Sequence, residues 1–260
     1  MAEADPSPSP AAARPFTPIQ APGKTVTVFA AASLTDAFNE LGEMYTRATG
    51  ARVELNVGAS NTLREQLAQG ARADVFASAN VAEMNNARRA GLVAGEAPTF
   101  VRNRLVVITP HDNPGQIETL RDLGEKSYKL VLAAPNVPVG AYARDMLTKL
   151  DADPAFGAGF KDRVLANLVS DEPNVRQVVA KVQLGEGDAG VVYTSDVTPQ
   201  VAPALQLIDV PDAFNTVAAY PIAVLEDAPD PALAQNFVKY VLSDEGQAAL
   251  QTWGFIRARS

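Results

Sequence analysis

Residues 25–45 read TVTVFAAASLTDAFNELGEMY, and this stretch decides the fold class. Thr25–Ala31 is an apolar run of the length of a buried strand. Leu34, Ala37, Phe38, Leu41 and Tyr45 then recur at helical spacing and give one apolar face. A strand followed at once by an amphipathic helix is half of a βαβ unit, and the next segments repeat it. Arg52–Val57 reads as a second strand, Thr62–Gln69 as a helix, Ala73–Ser78 as a third strand, and Val81–Ala90 as a helix ended by Gly91. The series predicts a parallel sheet with helices on both faces.

The rest of the chain keeps the alternation. Lys129–Ala134 is a strand, and Ala141–Leu150 a helix with Tyr142, Met146, Leu147 and Leu150 inward. Val175, Val178, Val179 and Val182 line one face of a helix that Pro173 is placed to start. Ala189–Tyr193 and Leu205–Asp209 are strands, and the end is helical over Pro231–Leu242 and Glu245–Trp253. Two apolar runs, Arg104–Pro110 and Ala218–Leu225, fit strands crossing between two lobes and fit ordinary core strands equally well. No internal repeat is present.

Composition narrows the function. The chain has 260 residues, 47% hydrophobic and 20% charged, ordinary values for a globular protein. No apolar run approaches the ~20 residues that span a bilayer. Formal charge is −8, and Lys and Arg form no basic stripe, so nucleic acid and anionic membrane surfaces are poor partners. Cysteine is absent, which removes disulfides, thiolate metal sites and cysteine nucleophiles. The single histidine, His111, stands in a turn-like His-Asp-Asn-Pro stretch and reads as solvated. There is no P-loop, GxGxxG or EF-hand spacing, so no cofactor is expected. Asp74 reads as a loop-capping residue before it reads as a ligand or base. Asp112, Asp171, Glu172 and Asp196 offer carboxylates without metal-ligand spacing.

Residues 1–22, rich in Pro, Ala and Ser, read as a disordered tether. They lack the basic start and apolar core of a signal peptide. Met1 directly before this segment leads to the expectation that a native export signal has been removed.

In open α/β sheets, ligands bind beyond the carboxyl ends of strands, where helices begin. In Ala30-Ala31-Ala32-Ser33-Leu34-Thr35-Asp36 a strand ends in small residues, Ser33 takes an N-cap position, and Asp36 follows at capping-box spacing. Gly58-Ala59-Ser60-Asn61-Thr62 repeats the arrangement. Each serine alone is most simply a helix cap. Together they set two helix N-termini side by side, an anion site made without a cation. Pro138-Val139-Gly140 and Pro173-Asn174-Val175 begin two more helices. There the valines serve the core, or lend only their backbone. Tyr193 ends a strand, either as a half-buried aromatic or as a ligand donor.

Seven segments resemble the molybdate-binding proteins of ABC importers in order and spacing. They are VTVFAAASLTDAF (26–38), VGASNTLREQLAQGARADVFASA (57–79), APNVPVGAYARDML (134–147), EPNVRQVVAKV (172–182), GDAGVVYTSD (187–196), YPIAVLEDA (220–228) and LSDEGQAALQTWGF (242–255). The resemblance covers residues 25–256. It implies a two-lobed type II periplasmic-binding-protein fold, each lobe a mostly parallel sheet flanked by helices. Lobe I would hold 23–104 and 224–260, and lobe II 105–223. It further implies an oxyanion site of Ser33, Ser60, Val139, Val175 and Tyr193, with Asn61 just behind it. Relatives often carry Ala at the position of Val139, where only the N–H is used.

The ligand implied is molybdate or tungstate, with molybdenum present only as the oxyanion and no direct protein–metal ligand. The partner implied is a membrane permease. The protein would be a non-enzymatic monomer at the periplasmic or extracellular face, with a lipid anchor possible although the expected Cys is absent from this chain. Alternatives are a binder of another tetrahedral anion such as sulfate, a ligand-sensing regulatory module, and an enzyme on the same fold. The lack of a DNA-binding segment speaks against the second, and the lack of a poised base or nucleophile against the third.

Overall fold

A computed structural model describes residues 15–258. Its strands are β1 (Thr25–Ala31), β2 (Arg52–Gly58), β3 (Val75–Ala77), β4 (Val93–Ala94), β5 (Thr99–Asn103), β6 (Leu105–Pro110), β7 (Leu130–Ala133), β8 (Leu168–Glu172), β9 (Ala189–Tyr193), β10 (Leu205–Asp209), β11 (Ala218–Leu225) and β12 (Ile256–Arg257). Its helices are α1 (Thr35–Thr49), α2 (Ser60–Ala68), α3 (Val81–Arg89), α4 (Asp122–Glu125), α5 (Pro138–Asp151), α6 (Phe160–Leu165), α7 (Val175–Gln183), α8 (Pro231–Leu242) and α9 (Asp244–Thr252).

Two sheets result. The larger runs β12-β5-β11-β3-β1-β2, with β4 beside β11, and the smaller runs β10-β6-β9-β7-β8. β1 is buried on both faces, as the opening run requires. Val26, Val28 and Ala30 enter the main core, while Phe29 joins a second cluster with Leu63, Leu67, Phe76 and Met84. Helix α1 turns Ala37, Phe38, Leu41 and Tyr45 inward, and each large apolar side chain so buried is worth ~1.5–3 kcal/mol. Gly50, at φ +74°, ends α1 in the left-handed conformation that glycine adopts without strain.

The structure changes several expectations. Parallel pairing is confined to β1 with β2 and β3, and β7 with β8 and β9. The other pairings are antiparallel, because the chain reverses between lobes. β6 lies wholly in the smaller sheet and β11 wholly in the larger, so neither run itself crosses. The crossings are Arg104, between β5 and β6, and residues 210–217, between β10 and β11. The boundary expected between 223 and 224 therefore falls inside a strand of the larger sheet. Pro173 precedes α7 without being helical: Asn174 is the N-cap, its side chain accepting from the Gln177 amide.

The expected tether lies in part outside the described residues, which begin at residue 15. Residues 15–22 do not hang free. Phe16 packs edge-on against Tyr240 at 4.8 Å between ring centroids, the Ala21 amide bonds the Thr49 carbonyl, and Asn236 donates to the Thr17 carbonyl. One aromatic ring and backbone hydrogen bonds dock a segment that otherwise has no apolar periodicity.

Candidate functional site

The two sheets face one another across a cleft lined by the ends of β1, β2 and β9 and the starts of α2, α5 and α7. Ser33, Ser60, Val139, Val175 and Tyr193 all line it, beside small residues such as Ala32, Gly58 and Ala79. Its volume is only about 20 Å³, far below the ~300–1,000 Å³ of sites for drug-sized ligands. The cleft suits a small ion better than a sugar or peptide.

Sequence order explains why donors converge there. The first amides of a helix have no partner within it. In α5 the first helical bond is made by the Ala141 amide to Val137, so the amides of Val139 and Gly140 precede it, and Pro138 has none. In α7, Asn174 takes up only the Gln177 amide, leaving that of Val175 at the cleft. Gly140 allows this: a Cβ there would collide with the carbonyl oxygens of Ala133 and Ala134. Only glycine lets α5 start tight against the end of β7.

Neither serine is a helix cap, contrary to the simplest expectation. Ser33 lies within a 3-10 turn, Ala32–Leu34, and Leu34 precedes α1. Ser60 is the first residue of α2, after Ala59. Both hydroxyls are engaged elsewhere. The Ala79 amide donates to Ser60 Oγ at 2.9 Å, and Tyr220 Oη lies 2.9 Å from Ser33 Oγ. An amide can only donate, so the Ser60 proton is left for another acceptor.

Tyr193 is fully buried, and its hydroxyl has no hydrogen-bond partner among the described residues. Burial pushes its pKa well above the usual phenol value, so it stays a neutral donor. Among the described residues, no Lys or Arg lines the cleft. The nearest cation in sequence, Arg176, is tied to Asp36 at 2.5 Å, to the Ala32 carbonyl at 3.3 Å and to Asp196 at 3.5 Å. The site thus offers neutral donors held by helix starts, and a deprotonated anion is what such a set can hold.

The other candidates have structural partners. Asp74 accepts from the Thr27 and Asp230 amides, as a loop-holding residue should. Glu172 pairs with Lys181 at 2.7 Å and Asp171 with Arg144 at 2.7 Å, while His111 and Asp112 are exposed. No group of three or more His, Cys, Asp or Glu could hold a metal ion among the described residues. Asn61 is buried but does not line the cleft, and nothing in the structure explains its unpartnered Oδ1.

Three residues escaped the sequence reading: Asn103, Tyr220 and Arg176. Each joins segments far apart in the chain. Tyr220, a polar side chain inside the apolar run Ala218–Leu225, carried an available signal, while Asn103, between Arg102 and Arg104, carried none.

Asp196 carries a pH prediction. Burial raises its carboxyl to about 7, against the pull of Arg176 and the Tyr193 amide. The folded protein then binds this proton more tightly than the unfolded chain, whose Asp titrates near 3.9. The contribution of Asp196 to stability should therefore fall as pH rises from about 4 to about 7. Asp196→Asn should remove that slope, and urea midpoints at several pH values would measure it. Parallel slopes in the two proteins would refute the assignment.

Residues 26–256 match the bacterial extracellular solute-binding protein family. The chain belongs to this family. Among its relatives is the molybdate-binding protein ModA of Mycobacterium tuberculosis, 37% identical over 247 residues, which span 95% of this chain and 89% of that protein. Among solved structures, the periplasmic molybdate-binding protein of Azotobacter vinelandii superposes with a TM-score of 0.79 at 19% identity, over 90% of this chain and all of that one. The sulfate-binding protein SubI of M. tuberculosis superposes equally well, at 0.79 and 17% identity, over 89% and 86%. As a solute-binding protein of type II periplasmic architecture, the chain has its fold settled; at these identities the fold alone does not tell one oxyanion from another.

Proposed function

We propose that this solute-binding protein captures molybdate, or the like-shaped tungstate, between its lobes outside the cytoplasm and delivers it to the permease of an ABC importer. It does so as a receptor and not as an enzyme. The observation that carries the reading is the Tyr193 hydroxyl, buried without a protein partner among the described residues in a cleft that Ser33, Ser60 and the starts of α5 and α7 also line. A buried donor left unpaired costs ~1–3 kcal/mol, and an anion between the lobes removes that cost.

The donor set also sets selectivity. A fully deprotonated dianion needs donors only, whereas a protonated phosphate carries its own O–H and needs an acceptor. Sulfate is deprotonated too, so it must be rejected by size: a smaller tetrahedron cannot reach donors on both lobes at once. The similarity to a molybdate-binding protein over nearly the whole chain favours the larger anion.

Titration calorimetry against molybdate, tungstate, sulfate and phosphate tests the proposal. Molybdate and tungstate should bind far more tightly than sulfate, and phosphate hardly at all. Sulfate binding as tight as molybdate would turn the reading toward sulfate. Tyr193→Phe keeps the ring and removes one donor to a charged ligand. It should weaken molybdate by ~1.5–3 kcal/mol, tenfold or more, with the apo protein no less stable. Unchanged affinity would take Tyr193 out of the site.

A further inference from the structure

Ser33 can act as a donor to an anion only if its proton is not spent on Tyr220. The 2.9 Å contact between their oxygens allows either direction. A third residue decides it. Asn103 Oδ1 faces the Arg104 amide at 3.0 Å and the Thr194 hydroxyl at 3.1 Å. A backbone amide can only donate, so this end of the Asn103 side chain is its carbonyl oxygen. The other end is then the NH2 group, which donates to Ser195 Oγ at 2.7 Å and to Tyr220 Oη at 3.3 Å. Tyr220 Oη is thus an acceptor toward Asn103, and among the described residues the one oxygen bonded to it that can take its proton is Ser33 Oγ; the reverse direction would leave a buried phenol proton unpaired, at a cost of ~1–3 kcal/mol. The Ser33 proton is released toward the cleft that this residue lines. All of Ser33, Asn103, Ser195 and Tyr220 are buried.

We propose that Tyr220, oriented by Asn103, is a positioning and specificity residue that holds Ser33 as a donor and so works against a protonated ligand. This rests on the oxyanion reading above and adds a cause for its selectivity. With Tyr220 donating into Ser33, one of the two Ser33 lone pairs is taken and the hydroxyl is held with its proton toward the cleft, which disfavours accepting from the O–H of hydrogen phosphate. Without Tyr220 that restraint is gone.

Tyr220→Phe, Ser33→Ala and the double variant, each titrated with molybdate and with inorganic phosphate at pH 7, test the relay. Tyr220→Phe should weaken molybdate about tenfold and narrow the molybdate-to-phosphate affinity ratio by at least that much. Because Tyr220 acts through Ser33, adding Tyr220→Phe to Ser33→Ala should cost molybdate affinity nothing further. Losses that add fully in the double variant, with the anion ratio unchanged, would mean that Tyr220 serves packing alone and would overturn the proposal.

If Tyr220→Phe does not fold, Asn103→Asp asks the same question. The introduced carboxylate accepts from Tyr220, which must then accept from Ser33 and draw its proton away from the cleft. Molybdate affinity should fall in the Ser33 background by more than in the Ser33→Ala background, and equal falls would overturn the relay. Failure of the wild-type protein to bind molybdate would sink the oxyanion reading instead, whatever the variants do.

Discussion

Replacing Ser60 with aspartate should leave a folded protein that no longer binds oxyanions. Ser60 begins α2, where a carboxylate interacts favourably with the helix dipole, worth ~0.3–1 kcal/mol. A carboxylate oxygen can also take over the bond that Ser60 Oγ accepts from the Ala79 amide. The extra atoms extend into the cleft that Ser60 lines, so the core behind it is not overpacked. The ligand is where the substitution is felt. A unit charge about 4 Å from a dianion, at an effective dielectric constant of about 20, meets roughly 8 kcal/mol of repulsion, twice the value for two unit charges. Even if half of that is relieved by adjustment, affinity falls about a thousandfold. Calorimetry on a variant whose thermal melt matches the wild type is the measurement. Tight binding by that variant would leave Ser60 a role in holding the Ala79 loop and none in the site.

The fold could be read from the chain because its strands and helices keep different periods. β1 and α1, joined by Ala32-Ser33-Leu34, appear where residues 25–45 place them, and all the long helices fall within a few residues of their expected positions. What escaped was short or non-periodic. β4 and β12 have two residues each, and β5 mixes polar with apolar ones. None carries a period to find. The docking of residues 15–22 depends on Phe16 meeting Tyr45 and Tyr240, contacts made across more than twenty residues of sequence.

The candidate site divides in the same way. Its five residues sit at strand-to-helix junctions, a place that chain order marks, and the structure brings all of them to one cleft. What each serine does there was not legible. Side-chain composition favoured capping, but the hydroxyls are engaged by Ala79 and Tyr220, from other strands and turns. Hydrogen-bond direction is a property of the assembled network and of no local motif. Likewise Arg176 stands in sequence as one more polar residue on an amphipathic helix. Only the folded chain shows that it spans the two lobes.

Reversing the charge of Arg176 should cost nearly as much as losing a ligand donor, although its side chain does not line the cleft. Arg176 follows Val175 in the first turn of α7, on the lobe built around the smaller sheet. Its guanidinium reaches Asp36 at 2.5 Å and the Ala32 carbonyl at 3.3 Å, both on the other lobe. The contact therefore exists only when the lobes are together. A ligand bound by both lobes draws on the same closed arrangement, so whatever stabilises closure raises affinity. Arg176→Glu would set a carboxylate against Asp36 and the buried Asp196, at a helix start that must face an anion. Like charges so placed cost several kcal/mol, and a loss of about 3 kcal/mol is more than a hundredfold in affinity. Closure chiefly governs escape, so the loss should appear as faster dissociation, with association much less changed. Stopped-flow displacement of molybdate, together with small-angle scattering of the loaded variant, would test this. A variant that releases molybdate at the wild-type rate would show that the Arg176–Asp36 pair rests on the closed form without stabilising it.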